Sequence, residues 1–235
     1  MKRIPVCFLV VFASPITASA DYVRTSFADL AGTSAAIVVG TIAEVDEDTF
    51  LLSVEDVLAG PTKKGEKLKV RRFQDWVCAW RWADYEVGQK LLVFLNRAKE
   101  EPVWISRGAA CEGESPIVEN EVHANFDLPG QTVEYQGRLG GKCYLTAVPL
   151  HGVRTAILDF RAAFRVVPAK DPWHKDDDAF IHIPFERIKS VDNPTESKFR
   201  PRRKPPEFRT RSSLHRHLAD IVQTERKRIR KYDDK

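Results

Sequence analysis

The chain lacks the short patterns that announce most catalytic and cofactor-binding functions. It has no Gly-x-Ser-x-Gly elbow and no glycine-rich phosphate loop, so an α/β-hydrolase or a nucleotide-binding reading has no motif to stand on. No Cys-x-x-Cys or His-x-x-x-His pair brings metal ligands together, and no metal or cofactor is expected. There is no internal repeat. Beyond residue 20 no apolar stretch approaches the roughly 20 residues that span a bilayer, so no transmembrane segment is expected in the mature chain. Cysteine is scarce, with four residues in 235.

What is present begins with a tripartite N-terminus. Lys2 and Arg3 form a charged start, Ile4 to Ile16 is apolar apart from Ser14 and two prolines, and Ala18-Ser19-Ala20 supplies small side chains before a cut. Residues 1–20 thus read as a cleavable signal peptide, with a mature chain from Asp21 that is exported to a periplasmic or extracellular space. Cys7 precedes most of the apolar run and lacks the small-residue context of a lipidated cysteine. The mature chain keeps Cys78, Cys111 and Cys143, an odd number. In an oxidising compartment, one disulfide and one spare thiol is the simplest account.

Charge is unevenly spread. Residues 21–197 hold 21 Lys/Arg against 28 Asp/Glu, whereas residues 198–235 hold 14 against 5. An acidic body therefore carries a strongly basic tail. Its runs Arg200 to Lys204 and Arg226-Lys227-Arg228-Ile229-Arg230-Lys231 would be drawn to an anionic envelope surface.

The pattern of the body is that of short strands. Thr25 to Thr33 reads as a short helix capped by Thr25 or Ser26, with Phe27 and Leu30 inward. Residues 36–45 have the β-branched density of a strand. An acidic turn follows, then a partner at 50–58 and an alternating third strand at 67–73. Residues 89–95 and 103–106 make a fourth and fifth, with three or four more between Ile117 and Leu145. From Pro149 to Val166, the residues Leu150, Val153, Ile157, Phe160 and Phe164 recur at helical steps. The expected fold is mainly β: a small closed barrel over 21–167 with a packed helix. An extension at 168–191 follows, with an edge strand at 180–185. The remainder, 192–235, is a disordered basic linker and a C-terminal helix carrying Leu214, Leu218, Ile221, Val222 and Ile229.

Three segments, Ser34 to Ile42, Val54 to Gly60, and Cys78 with the strand Gly88 to Leu95 and Cys111, resemble the exported bacterial proteins related to the netrin-like, or tissue-inhibitor-of-metalloproteinases-like, domain. The resemblance covers about 90 residues and implies a small OB-like Greek-key β-barrel with a Cys78–Cys111 disulfide bracketing the Gly-led strand. In the animal inhibitors, the mature chain starts with a cysteine that grips the protease zinc. Here Asp21 is expected first, so the resemblance implies the fold and not the inhibitory chemistry.

The most unusual segment is Trp76-Val77-Cys78-Ala79-Trp80-Arg81-Trp82. If extended, it places Trp76, Cys78, Trp80 and Trp82 on one face. That face is either core around a disulfide or an aromatic platform for a glycan or protein partner, with Arg71, Arg72, Arg81 and Tyr85 beside it. Asp176-Asp177-Asp178 near His174 and His182 lacks calcium-loop spacing and reads as solvated charge. His215 and His217, two apart on a helix, face different ways. Cys78, Cys111 or Cys143 with His123 or His151 forms no known nucleophile motif, and Glu112 and Glu114 are an ordinary loop pair. The expectation is a non-enzymatic secreted or periplasmic binding module for a protein or glycan, with no nucleic-acid partner. An envelope-associated structural protein held by its tail stands second and a hydrolase third.

Overall fold

The computed structural model describes residues 24–76, 79–109, 111–125, 131–137, 140–170, 178–184 and 212–233, with 165–170, 178–184 and 225–233 described by backbone alone. The leader expected at 1–20, the linker expected at 192–211, Cys78, His174, Asp176 and Asp177 lie outside the described residues.

The chain opens with α1 (Phe27–Thr33), started by Ser26, whose backbone is extended and whose hydroxyl accepts the Asp29 N–H at 3.1 Å. This is the N-cap that a serine before an apolar turn supplies. Strands β1 (Ala36–Val45), β2 (Thr49–Ala59), β3 (Lys67–Arg71), β4 (Lys90–Arg97) and β5 (Trp104–Ser106) follow. They close on themselves: β1 pairs antiparallel with both β2 and β4, β2 with β3, and β4 with β5, while β3 and β5 run parallel. The result is a mainly β protein built on a closed five-stranded barrel, an order consistent with an OB-fold.

The burial patterns explain why these strands close. On β3 the pattern alternates, with Leu68 and Val70 inside and their neighbours exposed. On β1 and β4 both faces are buried. Ala36, Val38, Leu91, Val93 and Leu95 fill the barrel interior, whereas Ile37, Val39, Leu92 and Phe94 face a second core outside it. Strands covered on both faces read as continuous apolar runs. β1 serves two partners by changing register at bulges beside Ile37, Val39 and Ile42. At Gly40 a Cβ would lie 2.5 Å from the Ser53 carbonyl and 2.9 Å from the Leu52 side chain, so only glycine permits the approach of β2.

The sheet continues from β4 through β6 (Glu114–Val118), β7 (Glu121–Ala124), β9 (Lys142–Pro149) and β8 (Thr132–Gln136). β6 and β7 meet at the two-residue turn Glu119-Asn120, both with positive φ, as a type I′ hairpin requires. α2 (Leu150–Ala163) lays Val153, Ala156, Ile157 and Phe160 on the outer core. It ends earlier than the expected Val166, because Phe164 turns extended and starts β10 (Phe164–Lys170). β10 pairs with β11 (Asp178–Pro184) in a separate two-stranded ladder, so the strand expected at 180–185 borders that ladder rather than the barrel.

α3 (Ser213–Asp233) docks on the outer core, a placement the sequence left open. Leu214, Leu218 and Val222 are buried in the outer core with α1 and α2, and Ile221 packs against it. The i, i+4, i+8 stripe is an interior face, and burial of each such side chain contributes about 1.5–3 kcal/mol.

Candidate functional site

The connection from β3 to β4 carries the tryptophan segment, and it does not run extended. Trp76 and Ala79 exchange reciprocal backbone hydrogen bonds at 2.8 and 3.0 Å, which folds the chain back before Trp80. The single aromatic face expected from alternation is thereby broken. Trp76 stays 41% exposed and Trp80 is half-buried, whereas Arg81, Trp82 and Tyr85 are buried. These last three therefore cannot be part of a ligand platform.

Their burial has a specific physical form. Arg81 and Glu114, both with fully buried side chains, pair through Nε–H and Oε2 at 3.0 Å. Arg81 also donates from Nη1 to the Ala83 and Asp84 carbonyls and from Nη2 to Gln89 Oε1, at 2.7–2.9 Å. Its guanidinium lies 3.9 Å from the Tyr85 ring centroid and 4.4 Å from that of Trp82. On the other side, Glu114 Oε1 accepts the Tyr85 hydroxyl at 3.1 Å and the Ser106 hydroxyl at 2.7 Å. Burial and the neighbouring Glu114 charge push the Tyr85 phenol well above its ordinary range, so it remains a donor. This arrangement satisfies a buried ion pair through hydrogen bonds from all sides and fastens the long connection to β5 and β6.

Outside this plug the same connection borders an open cleft of about 870 Å³. One wall is the β1–β2 turn with Glu47 and Asp48, the floor is the end of β3 with Arg71, Arg72 and Phe73, and Glu101 of the β4–β5 loop lies opposite. Asp75 and Asp84 complete it. Arg71 is exposed and paired with Glu101 at 2.7 Å. Arg72 is half-buried, donates to the Asp46 and Glu47 carbonyls at 2.8 Å and lies 4.9 Å from the Tyr85 ring centroid. Five carboxylates thus share the cleft with two arginines, both engaged. Strands 2 and 3 with the loops joining strands 1–2 and 4–5 are the surface that OB barrels offer to oligosaccharides and oligonucleotides.

The remaining candidates separate. Glu112 Oε2 accepts the Thr25 and Ala109 N–H groups, so it and Glu114 do not form a carboxylate pair. His123 Nδ1 lies 2.6 Å from the Tyr135 hydroxyl, His151 is exposed on α2, and among the described residues no histidine bonds Cys111 or Cys143. Among the described residues no group of three His, Cys, Asp or Glu side chains is placed to hold a metal. His215, buried at the start of α3, lies 2.7 Å from Ser212 Oγ and 3.3 Å from Asp159 Oδ2. The sequence reading missed this trio because Asp159 is 56 residues away. Ser212 Oγ also accepts the His215 N–H, so the hydroxyl serves as a helix cap.

The fold and the cleft together define a closed five-stranded barrel with a polar groove beside the end of β3. No family model, curated protein or solved structure matches the chain.

Proposed function

We propose that the chain is a binding module whose barrel takes a neutral oligosaccharide in the cleft between the β1–β2 turn, the end of β3 and the β4–β5 loop. The observation that carries this is the position of the cleft, on the barrel surface that OB folds use for polymers. Its surplus of carboxylates repels a phosphate backbone but accepts sugar hydroxyls. Trp76, next in sequence to the lining residue Asp75, offers an exposed ring for the apolar face of a sugar. The netrin-like resemblance and export through residues 1–20 belong to the same reading.

A glycan array, with basic peptides and single-stranded DNA as comparators, tests it on the intact chain. A neutral oligosaccharide is expected to bind. Trp76→Ala and Arg71→Ala are each expected to weaken it about tenfold, roughly 1.4 kcal/mol, while Tyr144→Ala on β9 leaves it unchanged. Binding of peptides alone would replace the ligand with a protein, and binding of none would overturn the reading.

The second reading, association with an anionic envelope, has one observation in its favour. α3 runs on from the buried Val222 through the basic segment Arg226 to Lys231. Sedimentation with anionic vesicles that disappears as salt rises would support it.

A further inference from the structure

Cys111, in the turn before β6, and Cys143, on β9, lie 32 positions apart, yet their sulfur atoms are 2.7 Å from one another. A bonded pair would be about 2.05 Å apart, so this is a dithiol with its sulfurs already facing. Cys111 is buried at the turn before β6, and its thiol is also 3.4 Å from the Trp80 carbonyl oxygen. Cys143 is half-buried on β9, opposite Tyr135 of β8. The β8–β9 hairpin is seated against Trp80: a Cβ on either Gly137 or Gly141 would collide with the indole ring. These two glycines let the hairpin close down on Trp80, which fixes Cys143 over Cys111.

The two thiols are not equivalent. The hydrogen bond from Cys111, with a smaller contribution from the Arg24 charge, lowers the pKa of Cys143. The same bond together with burial pushes the Cys111 thiol far up. The half-buried Cys143 is thus the more acidic sulfur of the pair and the better placed to attack a disulfide.

We propose that Cys111 and Cys143 are a redox pair that accepts oxidation by thiol–disulfide exchange, with Cys143 as the attacking and Cys111 as the resolving sulfur. The Cys143 thiolate attacks one sulfur of a small-molecule or protein disulfide, forming a mixed disulfide and releasing one thiolate. Cys111 then gives its proton to the released thiolate and attacks Cys143 Sγ, forming the Cys111–Cys143 bond and expelling the second thiolate, which takes a proton from water. Two protein thiols are oxidised and one disulfide is reduced to two thiols. The pairing differs from the Cys78–Cys111 bridge implied by the netrin-like resemblance and leaves Cys78 as the odd thiol.

Oxidised glutathione is the probe. The reduced intact chain is incubated with it, quenched by alkylation at timed intervals and mapped without reduction. A Cys111–Cys143 peptide pair with alkylated Cys78 is expected, and a Cys78–Cys111 or Cys78–Cys143 pair would overturn the proposal. Cys111→Ser is expected to accumulate glutathione on Cys143, whereas Cys143→Ser leaves Cys111 reacting at least about tenfold more slowly. An early adduct on Cys111 in the unaltered chain would overturn the order of attack. That time course holds even where a serine variant fails to fold.

Discussion

The barrel interior and the outer core share two strands yet are built on different principles. The outer core, where α1, α2 and α3 cover β1 and β4, is formed by apolar side chains from Phe27 through Val222. The barrel interior has a comparable apolar lining but carries against its Trp82 and Tyr85 the pair Arg81 and Glu114, two charges wholly removed from water. An apolar layer is non-directional and tolerates exchange of one hydrophobic side chain for another. A buried ion pair tolerates little, because removing either member strands the other. The comparison predicts that the two cores fail differently.

The largest effect is expected from the outer core. Removing residues 212–235 exposes the surface that Leu214, Leu218 and Val222 cover, a loss on the order of 5 kcal/mol at about 1.5–3 kcal/mol each. A domain of ordinary stability holds about 5–15 kcal/mol in total. The truncated chain is expected to be unfolded or close to it by urea titration and circular dichroism. A truncated chain that unfolds cooperatively near the original midpoint would show that α3 is an appendage after all.

The barrel plug comes next. Arg81→Met leaves Glu114 as an unpaired buried carboxylate and is expected to cost about 3–5 kcal/mol in urea unfolding. The double change Arg81→Met with Glu114→Leu removes the stranded charge and is expected to recover at least half of that loss. The Tyr85 hydroxyl would still accept the Phe73 N–H at 2.7 Å. A double variant as unstable as the single one would mean that the pair matters for its hydrogen-bonded carbonyls and not for charge compensation.

The two cores were also unequally legible in the sequence. The outer core follows from periodicity: Val153, Ile157 and Phe160 recur at helical steps and are buried, as are Leu214, Leu218 and Val222. What periodicity left open was where the last helix docks. Inside the barrel, β1 to β5 were readable from β-branched runs and alternation, but the connection at 72–85 was not. Strict alternation fails there because Trp76 and Ala79 fold back on one another. An arginine is usually a surface residue, so Arg81 was grouped with Arg71 and Arg72 as ligand surface. Its position between Trp80 and Trp82, with Tyr85 four residues on, was the available sign of a desolvated guanidinium. The strands beyond Ile117 were expected, but the turn joining β6 to β7 was not located, because it is Glu119-Asn120 and not the Asn-Gly or Asp-Gly that flags such turns. The cleft was half visible, since Arg71 and Arg72 were singled out, but its acidic wall comes from loops that only the barrel closure brings together.

The smallest expected effect sharpens the contrast between buried and exposed charge. Glu55 on β2 pairs with Lys90 of β4 at 2.7 Å and accepts the Thr41 hydroxyl of β1 at 2.5 Å, so three barrel strands meet at one carboxylate. Unlike Glu114 it stands in solvent, with 41% of its side chain exposed. The Lys90 hydrogen bond, followed by that from Thr41, lowers its pKa below the ordinary carboxylate value of 4.5. A carboxylate whose pKa is depressed by folding binds fewer protons in the folded chain. Its contribution to stability is therefore complete above the unfolded value and disappears as pH falls through the folded one. Solvent screening limits that contribution to about 0.5 kcal/mol. Lys90→Met is expected to flatten the pH dependence of unfolding free energy slightly below pH 4.5, with the two proteins converging under more acidic conditions. A stability difference that stays the same at every pH would mean that Lys90 stabilises the barrel through its aliphatic stem and that the pair contributes nothing.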